Sequence, residues 1–142
     1  MEISNLMAKQ IFSGDYQSLI LISKFIETEG EKAGLNENDL YAVKLAVDEA
    51  CTNIIEHAYG ESGKGEISCK CEKHPDGFEV VINDKGDKFD PEAVDTPNIG
   101  VALKNLKTRG AGLYLIKKLI DEVSFQFSDE AGTTLIMKKK LN

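Results

Sequence analysis

Between Glu66 and Lys73, apolar and polar residues alternate, and His74-Pro-Asp-Gly77 then leads into a second strand-like run, Phe78 to Asn83. Ile67, Cys69 and Cys71 point one way; Ser68, Lys70 and Glu72 point the other. A period of two interrupted by a Pro-Asp-Gly turn predicts a β-hairpin, with strands over 66–73 and 78–83. This part of the chain is therefore committed to an antiparallel sheet.

The flanking segments supply helices and further strands. Residues 16–33 place Leu19, Ile22, Phe25 and Ile26 at three- and four-residue steps, which predicts an amphipathic helix ending near Gly34. Asn36 or Asn38 caps a second helix over roughly 39–58, whose Val43, Val47, Ala50, Ile54 and Ala58 share one face. Residues 3–12 read as an opening strand, with a helix as the alternative, and Gly14 and Asp15 end it. Residues 59–65 form a loop. Residues 113–120 form a third helix. Two closing strands, 123–127 and 134–140, are joined by a turn containing Gly132. The order β-α-α-β-β-loop-α-β-β predicts an α+β, two-layer sandwich with a mostly antiparallel sheet and helices on one face.

The 142 residues suit one domain. With 17 basic and 24 acidic side chains the formal net charge is −7, which argues against broad binding of nucleic acid or an anionic membrane. A small phosphate ligand needs only a local pocket and remains compatible with that balance. The opening MEISNLMAKQIF lacks the apolar core of a signal peptide, and no window approaches the about 18 apolar residues of a membrane span. Three cysteines, an odd number, favour a reducing compartment; the expected location is cytoplasmic.

Three features carry chemistry. Glu49, Asn53 and His57 are spaced by four and share a helical stripe beside the apolar face. A carboxylate and a carboxamide one turn apart suit a general base and a hard cation; a solvated helix face is the bland reading. Asp84 ends an apolar strand and is followed by Gly86 and a Phe-Asp-Pro turn. An aspartate there can accept from an exocyclic amine such as that of adenine, and Gly86 lets backbone approach a flat ring. Gly110-x-Gly112 opens a helix, whose first amides and dipole favour phosphate. It is neither a P-loop nor a dinucleotide fingerprint, and taken alone it fits a flexible connector equally well.

In this order and spacing, Glu49-x-x-x-Asn53, Asp84-x-Gly86 and Gly110-x-Gly112 resemble the N, G1 and G2 boxes of the Bergerat-fold ATPases. The helix segment LAVDEACTNIIEHAYG, residues 45–60, resembles that of the anti-sigma factor serine/threonine kinases in particular. The segments DKGDKFDP, residues 84–91, and GLYLIKKLIDEV, residues 112–123, continue the resemblance, as does Gly132-Thr133-Thr134-Leu135. It extends over nearly all of residues 1–142, which implies a single ATPase domain.

The resemblance implies that ATP and Mg²⁺ are bound, with Asn53 ligating the metal and Glu49 as the general base. It implies that Asp84 takes the adenine amine, with Gly86 beneath the ring and Thr133 supporting it. Gly110, Gly112 and Leu113 would then line the phosphates below a lid over roughly 90–109. The implied phosphate acceptor is a serine on an anti-anti-sigma partner, and the second partner is a sigma factor. A homodimer is implied, with no direct nucleic-acid or membrane partner. The alternative is an ATP-gated binding module of the same fold with little kinase activity or a non-sigma partner.

The chain departs from the pattern in places. Lys88 stands where many Bergerat ATPases have a second glycine in the first box. Arg109 precedes Gly110 where relatives often carry a small residue; it either reaches the γ-phosphate or lies exposed. His57 is expected to pack or cap rather than to catalyse. Cys69-x-Cys71 with His74 has a zinc-like composition, but no fourth ligand is evident and the alternation assigns both thiols to the core. Lys138-Lys-Lys140 is read as solubilising charge on the last strand.

Overall fold

The computed structural model describes residues 7–58, 65–84, 112–128 and 132–141. The opening segment is a strand, β1 (Met7–Ser13), so the helical alternative is excluded for these residues; residues 3–6 lie outside the described part. The first helix, α1 (Ser18–Ala33), starts two residues later than the periodicity suggests. Asp15 occupies the preceding turn, where its carboxylate accepts from the Ser18 amide at 3.2 Å. The helix stops at Gly34, whose φ of +96° is left-handed backbone that costs glycine little.

The second helix, α2 (Glu37–Asn53), is capped by Asn36, not Asn38: the Asn36 side chain accepts from the Asp39 amide at 2.8 Å. The helix therefore begins at Glu37, with Glu37 and Asp39 in the first turn facing the positive end of the helix dipole. The chain continues through a π-helical turn, Ile54–Ala58, rather than as α-helix. This wider winding is common at functional sites.

The hairpin forms as expected. Its strands are β2 (Glu66–His74) and β3 (Gly77–Asp84), paired from Ile67↔Asp84 to His74↔Gly77. A third helix, α3 (Gly112–Leu119), precedes β4 (Glu122–Ser128) and β5 (Gly132–Lys140). Gly132 has a φ of +77°. The five strands lie in the order β1-β2-β3-β5-β4, every neighbouring pair antiparallel.

The inward side chains of β2, β3 and β5 pack beneath the helices. Ile67, Cys69, Cys71, Phe78, Val80, Ile82, Leu135 and Met137 meet Ile22 and Ile26 of α1, Val43, Val47 and Ala50 of α2, and Ile116 of α3 in one buried core. Among the described residues the other sheet face carries no helix, and its side chains are partly or fully exposed.

The three terminal lysines have separate roles. Lys139 lies on the core side of β5 and donates to the Leu119 carbonyl at 2.8 Å, closing the last turn of α3. Its ammonium also stands 3.9 Å from Asp39 at the start of α2. Lys138 lies on the opposite face and pairs with Asp76 at 2.9 Å. Lys140 is exposed, and its amide donates to Asp121 at 2.7 Å. The solubilising-charge reading fits Lys140 but not Lys139.

All three cysteines are free and buried. A hydrogen bond with Cys69, followed by burial and nearby charge, holds the Cys51 thiol well above its ordinary range. Burial, with the charges of Cys69 and Glu29, does the same to Cys71. In the folded chain all three thiols are expected to resist an aromatic disulfide reagent at neutral pH and to react once denaturant unfolds it; rapid reaction of the native protein would contradict the packing. Asn36→Ala is expected to lower unfolding stability by about 1 kcal/mol in urea titrations, the usual worth of a side-chain cap.

Candidate active site

The site begins on the last turn of α2. Asn53 is fully buried. Its Nδ2 donates to the Glu49 backbone carbonyl and to Glu49 Oε2, both at 2.9 Å. A buried carboxamide without partners costs about 1–3 kcal/mol, and the Glu49 bonds offset that cost while fixing the amide's orientation. With the nitrogen assigned to Glu49, Oδ1 is the atom chemically suited to a hard cation. The four-residue α-helical stacking ends here: the π-turn starts at Ile54, so the step from Asn53 to His57 does not continue it.

Asp48 is on the neighbouring stripe. Desolvation, and then the adjacent Glu49 charge, raise its carboxyl above the usual carboxylate range. Two carboxylates side by side make this turn a place where a cation or a proton is welcome.

Asp84 ends β3 and is 6% exposed. The register sets Ile67 of β2 on one side of it and Thr133 of β5 on the other. The strand pairing thus brings together two residues far apart in sequence, Asp84 and Thr133. Asn83, which no motif marks, holds this junction: its Nδ2 donates to Thr134 Oγ1 at 2.8 Å and to the Thr133 carbonyl at 3.4 Å. Its only sequence signal is a polar residue in the outward phase of β3. Cys51, on the same turn of α2, is fully buried, and the charges of both Asp48 and Asp84 bear on its thiol.

Gly112 opens α3, whose first turn has no acidic residue to compete for an anion and whose last turn carries Lys117 and Lys118. Because Lys139 pins the Leu119 end of α3 near Asp39, Gly112 is at the end of α3 away from the start of α2. Gly86, Lys88, Arg109, Gly110 and the expected lid over 90–109 lie outside the described residues, as do the side chains of His57 and Leu113.

The thiols and His74 do not meet. Cys69 and Cys71 face the helices, whereas His74 is on the other sheet face, with Nε2 3.0 Å from Glu79 Oε1. An open cavity of about 280 Å³, lined by Lys9, Ile11, Ser68, Lys70, Asn83 and Thr134, also opens on that sheet face.

The chain matches the family model described as histidine kinase-like ATPase domain over residues 12–139. It is 38% identical to the serine-protein kinase RsbW of Bacillus velezensis over 117 residues, which cover 78% of this chain and 71% of that protein. The Bacillus subtilis protein of the same name gives the same figures. The serine-protein kinase RsbW of Staphylococcus aureus is 38% identical over 133 residues, 89% of this chain and 80% of that protein. Buried Asn53 on Glu49, the Asp84–Thr133 register and these likenesses agree: the chain belongs to the anti-sigma factor serine/threonine protein kinases, built on the histidine kinase-like ATPase fold.

Proposed function

We propose that the chain binds Mg-ATP between the last turn of α2, the end of β3 and the start of α3, and transfers the γ-phosphoryl group to a serine of an anti-anti-sigma partner. In its other state it sequesters a sigma factor, so that the phosphorylation state of one partner decides access to the other. The observation that carries this reading is the buried Asn53 amide locked onto Glu49, one helical turn away.

Each residue has a defined task. Asp84 accepts a hydrogen bond from the adenine amine, while Thr133, its register neighbour, supports the ring. Gly86 lies beneath the base. Gly110, Gly112 and Leu113 line the phosphates, where the first amides of α3 donate to oxygen. The segment 90–109 is the lid, and Arg109 is a candidate donor to the γ-phosphate. The donor set suits Mg²⁺, which takes oxygen ligands and keeps several waters; Asn53 Oδ1 would hold it. When bound, the ion neutralises charge developing on the phosphates.

Glu49 acts as general base. As the serine oxygen bonds to phosphorus and the bond to the departing ADP oxygen breaks, the hydroxyl proton passes to the Glu49 carboxylate. Its hydrogen bond with Asn53 keeps the base and the metal ligand in one geometry. The acidic surface fits a basic patch on a sigma factor, and the protein works in the cytoplasm as a homodimer. Among the described residues, no helix is long and apolar enough to cross a membrane.

The test uses labelled ATP, the purified chain and the candidate anti-anti-sigma protein encoded nearby. Glu49→Gln keeps an acceptor for Asn53 but cannot take the proton. Transfer is expected to fall by at least about 100-fold while ATP affinity holds. An unchanged rate would remove Glu49 as base, and ATP binding without any phosphoprotein from the native chain would favour the ATP-gated binding module. Asp84→Asn is expected to weaken ATP binding by about 10- to 100-fold and to erode preference over GTP, as loss of a charge-assisted acceptor should. Light scattering with and without ATP is expected to give the mass of a dimer.

A further inference from the structure

Among the described residues, one group of three side chains brings metal-ligating atoms together: Glu72, His74 and Glu79. It is on the sheet face turned away from the described helices, beside the turn between β2 and β3 and at the opposite end of those strands from Asp84. Glu72 and His74 are two apart on β2 and so point the same way. Glu79 pairs directly with Glu72, and His74 pairs with Gly77, which puts no side chain opposite the imidazole. One donor atom from each of the three lies within 4.8 Å of the others, and His74 Nε2 is already 3.0 Å from Glu79 Oε1.

Zinc bonds of about 2.0–2.2 Å place tetrahedral ligand atoms roughly 3.3–3.5 Å apart, a spacing that side-chain adjustment can reach from this arrangement. The charges favour a cation as well. Glu72 and Glu79 are like charges directly opposed across two strands, an unfavourable pair without a counter-ion. Two ammonium groups are nearby. Lys70 stands 3.9 Å from Glu72, and Lys138, the register partner of Glu79 on β5, turns its ammonium to Asp76 at 2.9 Å. Neither ammonium is within direct hydrogen-bond distance of both carboxylates. The imidazole separates this cluster from an all-oxygen patch that would suit Mg²⁺ or Ca²⁺. The backbone positions of the three residues are fixed relative to one another, because the two strands are closed by a two-residue turn, Pro75-Asp76.

We infer that Glu72, His74 and Glu79 form a second metal site, for a divalent transition ion of the zinc class, with His74 Nε2 and one oxygen of each carboxylate as ligands. The fourth position is open to water or to a donor from another molecule. The site is distinct from the Mg-ATP reading and does not rest on it.

Isothermal titration of the chelator-treated, nucleotide-free full chain with zinc chloride tests it. One saturable zinc per chain is expected, with affinity lower by at least about tenfold in His74→Ala, Glu72→Gln and Glu79→Gln and unchanged in His57→Ala. Cobalt as a probe is expected to give visible bands without thiolate charge-transfer absorption, because the cysteines face the core. The three variants should retain native circular dichroism and native ATP affinity. Absence of saturable binding, zinc binding that survives in His74→Ala, or a thiolate signature with cobalt would each overturn the site.

Discussion

β3 runs through the middle of the sheet, bonded to β2 on one side and β5 on the other, and its register assigns every nearby side chain to a face. Side chains on a strand alternate with a period of two, so a one-residue slip would turn Asp84 out of the core and Asn83 into it. Three features hold the register. The turn at Pro75-Asp76 admits no slack, and Lys138 ties that turn to β5 through Asp76. The Lys138 stem also crosses Gly77, where an added Cβ would come within 2.7 Å of its Cε. A third tie, from Asn83 to Thr134, fastens the other end of the strand. With the register set, Asp84 and Thr133 become neighbours facing the helices, and Glu72, His74 and Glu79 become neighbours on the opposite face.

The helical layer is held to that sheet by apolar packing, supplemented by polar ties. Lys139 reaches from β5 to the last carbonyl of α3 and toward Asp39 at the start of α2. Its aliphatic stem is on the packed side while its ammonium meets helix-end groups of opposite polarity. The far end of α2 then carries the polar pair Asn53–Glu49 at the edge of the core. Ala50, Cys51 and Ile55 around it are buried, so the pair is both a packing requirement and the chemical centre. Glu49 serves both roles because one helical turn is about the reach of a carboxylate to a carboxamide.

The hairpin was legible because alternation and a Pro-Asp-Gly turn are local signals, and both strands form within a residue or two of the expected ends. The helices were legible from their three- and four-residue steps. The choice of Asn36 over Asn38 was not, since either can cap and the deciding bond to the Asp39 amide exists only once the chain turns. The π-turn after Asn53 has no glycine or proline to announce it. Lys139 does carry a signal: it continues the inward phase of Leu135 and Met137, but a run of three lysines masks that phase behind uniform charge.

The sequence by itself determined the kinds of residue available and their local spacing: a carboxylate four before a carboxamide on a helix, an aspartate at a strand end, a glycine at a helix start. Those depend on the periods 3.6 and 2, which are properties of the backbone. Only the tertiary structure decided partnership. It set Thr133 beside Asp84, Cys51 against Cys69, and His74 with Glu79 rather than with the cysteines three and five residues away along its own strand. The reason is physical: periodicity sorts side chains to faces, but the distance between two residues on one face depends on strand register and layer packing, which local spacing does not contain.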